Sequence, residues 1–321
     1  MKKQLVAAGF SVLCLVLPQK ATAASLSQLY FFGDSLSDPG NAFSQVGIPP
    51  SPYVNGRFSD GRVWAEYLAK NLGLQDTNFA FGGATTGNSN TITPLLPGLF
   101  TQINTFINTN PQADSDALYV IWAGANDYLG ERVSNPNLPL VNLDTAVRSL
   151  AGVGAKNFLV VNLPNLGDIP GTNGNPIQSN LLNNLTGLHN QGLSSILTTL
   201  KQDLPTTKIN IFDINALFSQ AINSPDTFKF ANVSQSCLSR LDICEPQKNK
   251  FLFWDNLHPT TYTHQIIART AARQIRSQYV PEPSLALGML TLGALGAASV
   301  LKRQRHVAAL RIQSSKFKIQ N

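Results

Sequence analysis

Cysteine is nearly absent from this chain, with three in 321 residues. Cys14 lies in an N-terminal stretch that is not part of the fold, which leaves Cys237 and Cys244 in "CLSRLDIC". Two cysteines cannot frame a disulfide-dense mini-domain. At this spacing, without a neighbouring ligand pair, they do not make a zinc site. Histidine is almost as scarce, with four residues, so chemistry that needs an imidazole has few possible centres. There is no internal repeat, no phosphate-cradling glycine loop and no cluster of metal-ligating side chains. These absences speak against solenoids and nucleotide-binding loops and imply no cofactor.

Positive charge is in excess, +6 overall, but it belongs to the ends. Nine of the 24 basic residues and only one acidic residue, Glu282, lie outside residues 24–280, so the body of the chain is near −2. That balance gives no case for nucleic-acid binding. Residues 1–23 open with Lys2 and Lys3, continue as the apolar run Leu5–Leu17 and close on Ala21-Thr22-Ala23. This is the layout of a cleavable export signal, and the mature chain is expected to begin near Ala24. At the other end, "VPEPS" (Val280–Ser284) leads into the uncharged run Leu285–Leu301 and then "KRQR" (Lys302–Arg305). As a helix the run would measure about 26 Å, near the lower limit for crossing a bilayer, with the basic cluster on the cytoplasmic side. Residues 280–305 resemble the bacterial PEP C-terminal sorting signal, which implies recognition and removal by sorting machinery at the membrane. Residues 306–321 are a basic tail. The protein is therefore expected to be exported to the periplasm, cell surface or medium, held transiently by its C-terminal helix. In that oxidising setting a disulfide between Cys237 and Cys244 is expected.

Residues 24–279 have the length of one large domain. Strand-like runs fall at Leu29–Phe32, Asn78–Phe81, Leu118–Trp122, Asn157–Asn162 and Lys208–Phe212. Most are unbroken apolar runs, as strands buried on both faces require. Helical patterns lie between or after them, at Arg62–Leu72, Leu143–Gly152, Leu181–Leu200 and Thr260–Gln278, with Asn142 and Thr260 as possible caps. Alternation of this kind predicts an α/β fold with a mostly parallel, five-stranded sheet covered on both faces. Ligands of such sheets sit beyond the carboxyl ends of the strands.

Four segments are delivered to that edge. "LYFFGDSLSDPGN" places Ser35 directly after the first strand, either in a plain turn or as a displayed nucleophile. No G-x-S-x-G surrounds Ser35, so the α/β-hydrolase elbow is not supported. "NFAFGGATT" brings Gly82 and Gly83, a turn or a close backbone approach to a ligand. "WAGANDYL" brings Asn126, a helix cap or an amide donor. "FLFWDNLHPT" carries Asp255 three residues before His258, close enough for the carboxylate to hold one ring nitrogen and leave the other free. His189 and His264 fall in helical stretches and are expected at the surface.

The four blocks, in the order Ser, Gly, Asn, Asp-His, resemble the GDSL-type esterase/lipase family, also called SGNH hydrolases. "GRFSDGRVWAEYLA" (Gly56–Ala69) adds to the likeness, which covers about Leu29 to Tyr279. The resemblance implies a three-layer α/β/α sandwich of flavodoxin-like type and a serine ester hydrolase working through an acyl-enzyme. It implies Ser35 as nucleophile and His258 as base, oriented by Asp255. The oxyanion hole would comprise the Ser35 and Gly83 N–H groups and the Asn126 amide. Gly83 is preferred to Gly82 because the family's oxyanion glycine stands five residues after the asparagine of its block, here Asn78. Asp34 and Asp127 are expected to hold loops. The partner would be an ester of a small molecule, lipid or acylated glycan. A polysaccharide deacetylase and a catalytically silent surface protein are the alternatives on the same scaffold.

Overall fold

The computed structural model describes residues 26–279. The expected export signal, C-terminal sorting signal and basic tail lie outside the described residues. Among the described residues no helix is long and apolar enough to cross a membrane.

The chain runs β1 (Gln28–Gly33), α1 (Asn41–Val46), α2 (Trp64–Leu72), β2 (Gln75–Asn78), α3 (Leu99–Thr109), β3 (Leu118–Trp122), α4 (Ala125–Leu129) and α5 (Asn137–Gly152). It continues with β4 (Asn157–Val161), α6 (Pro176–Asp203), β5 (Lys208–Phe212), α7 (Ile214–Asn223), α8 (Pro225–Phe228), β6 (Asn232–Ser236), α9 (Leu241–Cys244), β7 (Phe251–Phe253) and α10 (Thr261–Tyr279). The main sheet has the order β2-β1-β3-β4-β5 with every pair parallel. The architecture is the expected α/β/α sandwich.

Side-chain alternation along the central strands divides the core in two. Leu29 and Phe31 of β1, with Val120 and Trp122 of β3, face α2, α7 and α10 through Trp64, Leu68, Phe218, Ile267 and Ile275. Tyr30, Phe32, Tyr119 and Ile121 face α3, α5 and α6 through Ile103, Phe106, Leu150, Leu193 and Leu197. Because both faces are covered, the central strands read as apolar runs.

Three expectations need correction. The second strand is Gln75–Asn78, not Asn78–Phe81. It is a sheet edge, largely exposed and polar, so no apolar run marks it; Phe79 and Phe81 follow the strand, their N–H groups bonding Phe31 and Gly33 carbonyls. His189 and His264 are fully buried, not at the surface. Each occupies the apolar face of its helix, His189 between Leu185 and Leu193 and His264 with Ile267 and Ala268. Asn142 lies inside α5, where its amide donates to Thr86 Oγ1, whereas the Thr260 hydroxyl does accept the Thr263 N–H. The parallel pair β6-β7 was not foreseen.

Candidate active site

Ser35 is presented by a turn that its neighbours lock. β1 ends at Gly33, whose φ of 152° and close approach to the Trp122 carbonyl leave no room for a Cβ. Its N–H donates to Gln102 Oε1 (2.9 Å) and its carbonyl accepts from Gln102 Nε2 (2.8 Å), so a buried side chain from α3 takes the place of a strand neighbour. Asp34 Oδ1 then accepts the Leu36 N–H at 3.0 Å, and the Asp34 carbonyl accepts from Ser37 and Asp38. Burial pushes the Asp34 carboxyl up to about 7, against the lowering effect of the Leu36 bond.

Asp38 joins this turn to the glycine block. Its carboxylate accepts N–H groups from Gly40 and Ala42 and, at 2.8 Å, from Gly82. The Gly82 donor is thus occupied. Gly83, at φ 77°, bonds through its carbonyl to Thr91, while its own N–H and that of Ser35 donate no hydrogen bond among the described residues. Asn126 lies in the first turn of α4, 8% exposed, with one amide hydrogen on the Ala84 carbonyl (3.0 Å). Asp127 beside it accepts from the Thr86 N–H and hydroxyl (3.0 and 2.6 Å), fastening α4 to the glycine block. Burial raises Asp127 to about 6.

Asp255 and His258 share one tight turn. Asp255 Oδ1 accepts the N–H groups of Leu257 and His258 (2.7 and 2.6 Å), and the Trp254 N–H donates to the His258 carbonyl at 2.7 Å. Asp255 Oδ2 lies 2.7 Å from His258 Nδ1, and His258 Nε2 lies 2.8 Å from Ser35 Oγ. A carboxylate at Nδ1 places the ring proton there and leaves Nε2 to accept the serine hydroxyl proton. Burial alone would raise the Asp255 pKa, but the His258 imidazole and the bonds from this turn outweigh it and lower it to about 2. Cys237 and Cys244 are paired, with Cα atoms 5.3 Å apart, and pack against Trp254.

The fold therefore brings all four sequence blocks to one edge of the sheet. The sequence reading missed two side chains there. Gln102 sits in an amphipathic helix and carries no motif. Tyr53, from "SPYVNG", donates its hydroxyl to Asp255 Oδ2 at 2.8 Å across about two hundred residues of chain. Burial and the facing carboxylate both raise the Tyr53 phenol pKa.

The sequence pattern of GDSL-like lipases and acylhydrolases matches residues 29–271, most of the chain. The chain belongs to this family. Among similar proteins, a phosphatidylcholine-sterol acyltransferase from Aeromonas hydrophila is 29% identical, the match covering 79% of this chain and 92% of that protein. A thermolabile hemolysin from Vibrio parahaemolyticus is also 29% identical, covering 76% of this chain and 62% of the hemolysin. The aryl esterase of M. smegmatis in its inhibitor-bound form superposes with a TM-score of 0.49 at 19% identity, covering 78% of this chain and 99% of the esterase. As a member of the GDSL-like family the protein is an ester-hydrolysing enzyme.

Proposed function

We propose that the protein is an exported serine hydrolase that cleaves carboxylic esters through an acyl-enzyme formed on Ser35. The observation that carries this reading is the chain Ser35 Oγ, His258 Nε2, His258 Nδ1, Asp255 Oδ2, closed by contacts of 2.8 and 2.7 Å. His258 takes the hydroxyl proton as Ser35 attacks the ester carbonyl, then gives it to the departing alkoxide. Asp255 fixes the ring and balances the imidazolium, a task suited to a carboxyl lowered to about 2. The oxyanion is held by the unpaired N–H groups of Ser35 and Gly83 and the second amide hydrogen of Asn126. Each such donor is typically worth ~3 kcal/mol of transition-state stabilisation. Water, activated by His258, releases the acid. The occupied Gly82 N–H supports Gly83 as the glycine donor.

The acyl group proposed is that of a lipid or short-chain ester. The name of the Aeromonas hydrophila relative, phosphatidylcholine-sterol acyltransferase, supports a lipid acyl donor. Residues 24–279 form the catalytic domain in this reading. Residues 1–23 direct export, and residues 280–305 engage sorting machinery before the basic tail 306–321. A fluorophosphonate probe tests the assignment. It should label the wild-type chain on the peptide containing Ser35, and Ser35→Ala should lose both labelling and ester turnover. Labelling at another serine, or wild-type turnover by the variant, would refute it.

A further inference from the structure

The edge of the domain that carries Ser35 is also its apolar pole. Every large apolar side chain exposed among the described residues lies in a segment at that edge, from Phe43 after β1 to Ile243 beside the disulfide. The densest part is α6. Its 28 residues span about 42 Å, whereas β4 and β5, which it connects, have five residues each, about 17 Å. The C-terminal half of α6 covers the sheet through Leu193, Leu197 and Leu200. Its N-terminal half therefore stands beyond the sheet edge, packed through Leu182 and Leu185 on Ala125 and Tyr128 of α4, the helix that carries Asn126.

An adjoining face of that half shows Ile177, Leu181 and Leu188, which are 83%, 58% and 45% exposed. At helical spacing these three fall within about 40° of one another and make one stripe. α5 runs alongside, since Leu140 packs at Gly192, and its first turns expose Leu138 and Val141. Charge is missing from this wall: α6 has none before Lys201, and Asn137–Leu143 has none. A solvated helix face normally carries charged residues, and an uncovered apolar surface of this kind marks an interaction site.

We propose that this pole adsorbs to the surface of aggregated, uncharged or zwitterionic lipid, with the α6 stripe and the first turns of α5 inserted. The proposal rests on the ester-hydrolase reading and names its substrate as lipid ester presented at an interface. The absence of charge matches a neutral lipid surface, whereas an anionic one would call for lysine and arginine. Of the exposed large apolar side chains all but Phe43 are aliphatic, and these offer a sugar neither a hydrogen bond nor a ring to stack on. The described chain ends at Tyr279, at the far end of a 19-residue helix that starts beside His258 and is about 28 Å long. Tyr279 is therefore at the other pole.

The test places a polarity-sensitive dye on the full chain at Leu181→Cys, with Cys14→Ser to keep labelling specific. Phosphatidylcholine vesicles should shift its emission to the blue in a saturable way, and the same dye at Ser277→Cys should not respond. In Ile177→Ser/Leu181→Ser the ratio of turnover on emulsified long-chain ester to turnover on soluble short-chain ester should fall about tenfold or more. A dye at position 181 that stays in water at saturating lipid, or an unaltered turnover ratio, overturns the proposal. So does a response at position 277 alone, which would make the C-terminal segment the lipid contact. So does a shift at 181 with acylated polysaccharide and not with vesicles. A chain that shifts at 181 on vesicles but hydrolyses neither ester would support the adsorbing surface and bring down the hydrolase reading instead.

Discussion

Asp255 carries the largest share of order at the site. One oxygen takes two backbone N–H groups from its own turn, and the other takes His258 and Tyr53. Four donors on one half-buried carboxylate satisfy most of its lone pairs, which fixes its rotamer and hence the imidazole plane. Tyr53 acts here as a positioning residue through Asp255. Tyr53→Phe keeps the ring and removes only the hydroxyl, at a cost of about 1.5–3 kcal/mol for a hydrogen bond to a charged group. If about half of that is felt in the transition state, kcat on a soluble ester should fall roughly three- to tenfold, with KM little moved. A KM effect without a kcat effect would show instead that Tyr53 contacts substrate. His258→Ala should be more severe than either Tyr53→Phe or Asp255→Asn, because it removes the proposed base itself.

At the scale of elements, the end of β1 depends on a helix remote from it in sequence. Gln102 lends its amide oxygen and nitrogen to the N–H and carbonyl of Gly33, the last residue before the Asp34-Ser35 turn. The carbonyl keeps the Phe81 N–H as a second donor, whereas the N–H has only Gln102, and a buried donor left without a partner costs about 1–3 kcal/mol. Gln102→Leu, similar in volume, should therefore lower stability by about 1–3 kcal/mol, read as a shift of the urea midpoint at unchanged slope. Ester turnover of the protein that remains folded should fall as well, since the turn carrying Ser35 begins at Gly33. A variant as stable as the parent would mean that β1 holds its own end. The paired Cys237 and Cys244 play a comparable part for the other half of the site, packing beneath Trp254 next to Asp255.

Across the whole molecule, buried titratable groups oppose one another. Burial raises Asp127 to about 6, so the folded state holds a proton that the unfolded chain, near 3.8, gives up. That contribution is present at low pH and is lost as pH rises from about 4 to 6. Burial lowers His189 to about 4 and His264 to about 3, against 6.5 unfolded. Their contribution runs the other way: stability is lost as pH falls below 6.5, because the unfolded chain takes up protons that the folded one refuses. Asp127→Asn should therefore gain on the wild type as pH rises through 4 to 6, by on the order of 3 kcal/mol across the window. His189→Gln should gain as pH falls from 6.5 to 4. Urea midpoints measured from pH 4 to 8 give both difference curves, and slopes of the same sign would refute the assignment.

The local sequence determined the central strands, because residues buried on both faces must be apolar. It also determined the Asp255-His258 pairing, because three residues of turn suffice to join a carboxylate to a ring nitrogen. The four blocks at strand ends were legible for the same reason: a parallel sheet sends every carboxyl end to one edge. The polar strand β2 was not legible, since an exposed edge needs no apolar run. His189 and His264 were misread as surface residues because residue type was weighed above their position among leucines, isoleucine and alanines on one helix face. Tyr53 and Gln102 could not be found at all. Their partners lie about 200 and 69 residues away in sequence, and only the folding of loop and helix onto the sheet edge puts a phenol against Asp255 and an amide against Gly33. Tertiary structure likewise decided which glycine N–H is free, since Asp38 claims that of Gly82 from the neighbouring loop.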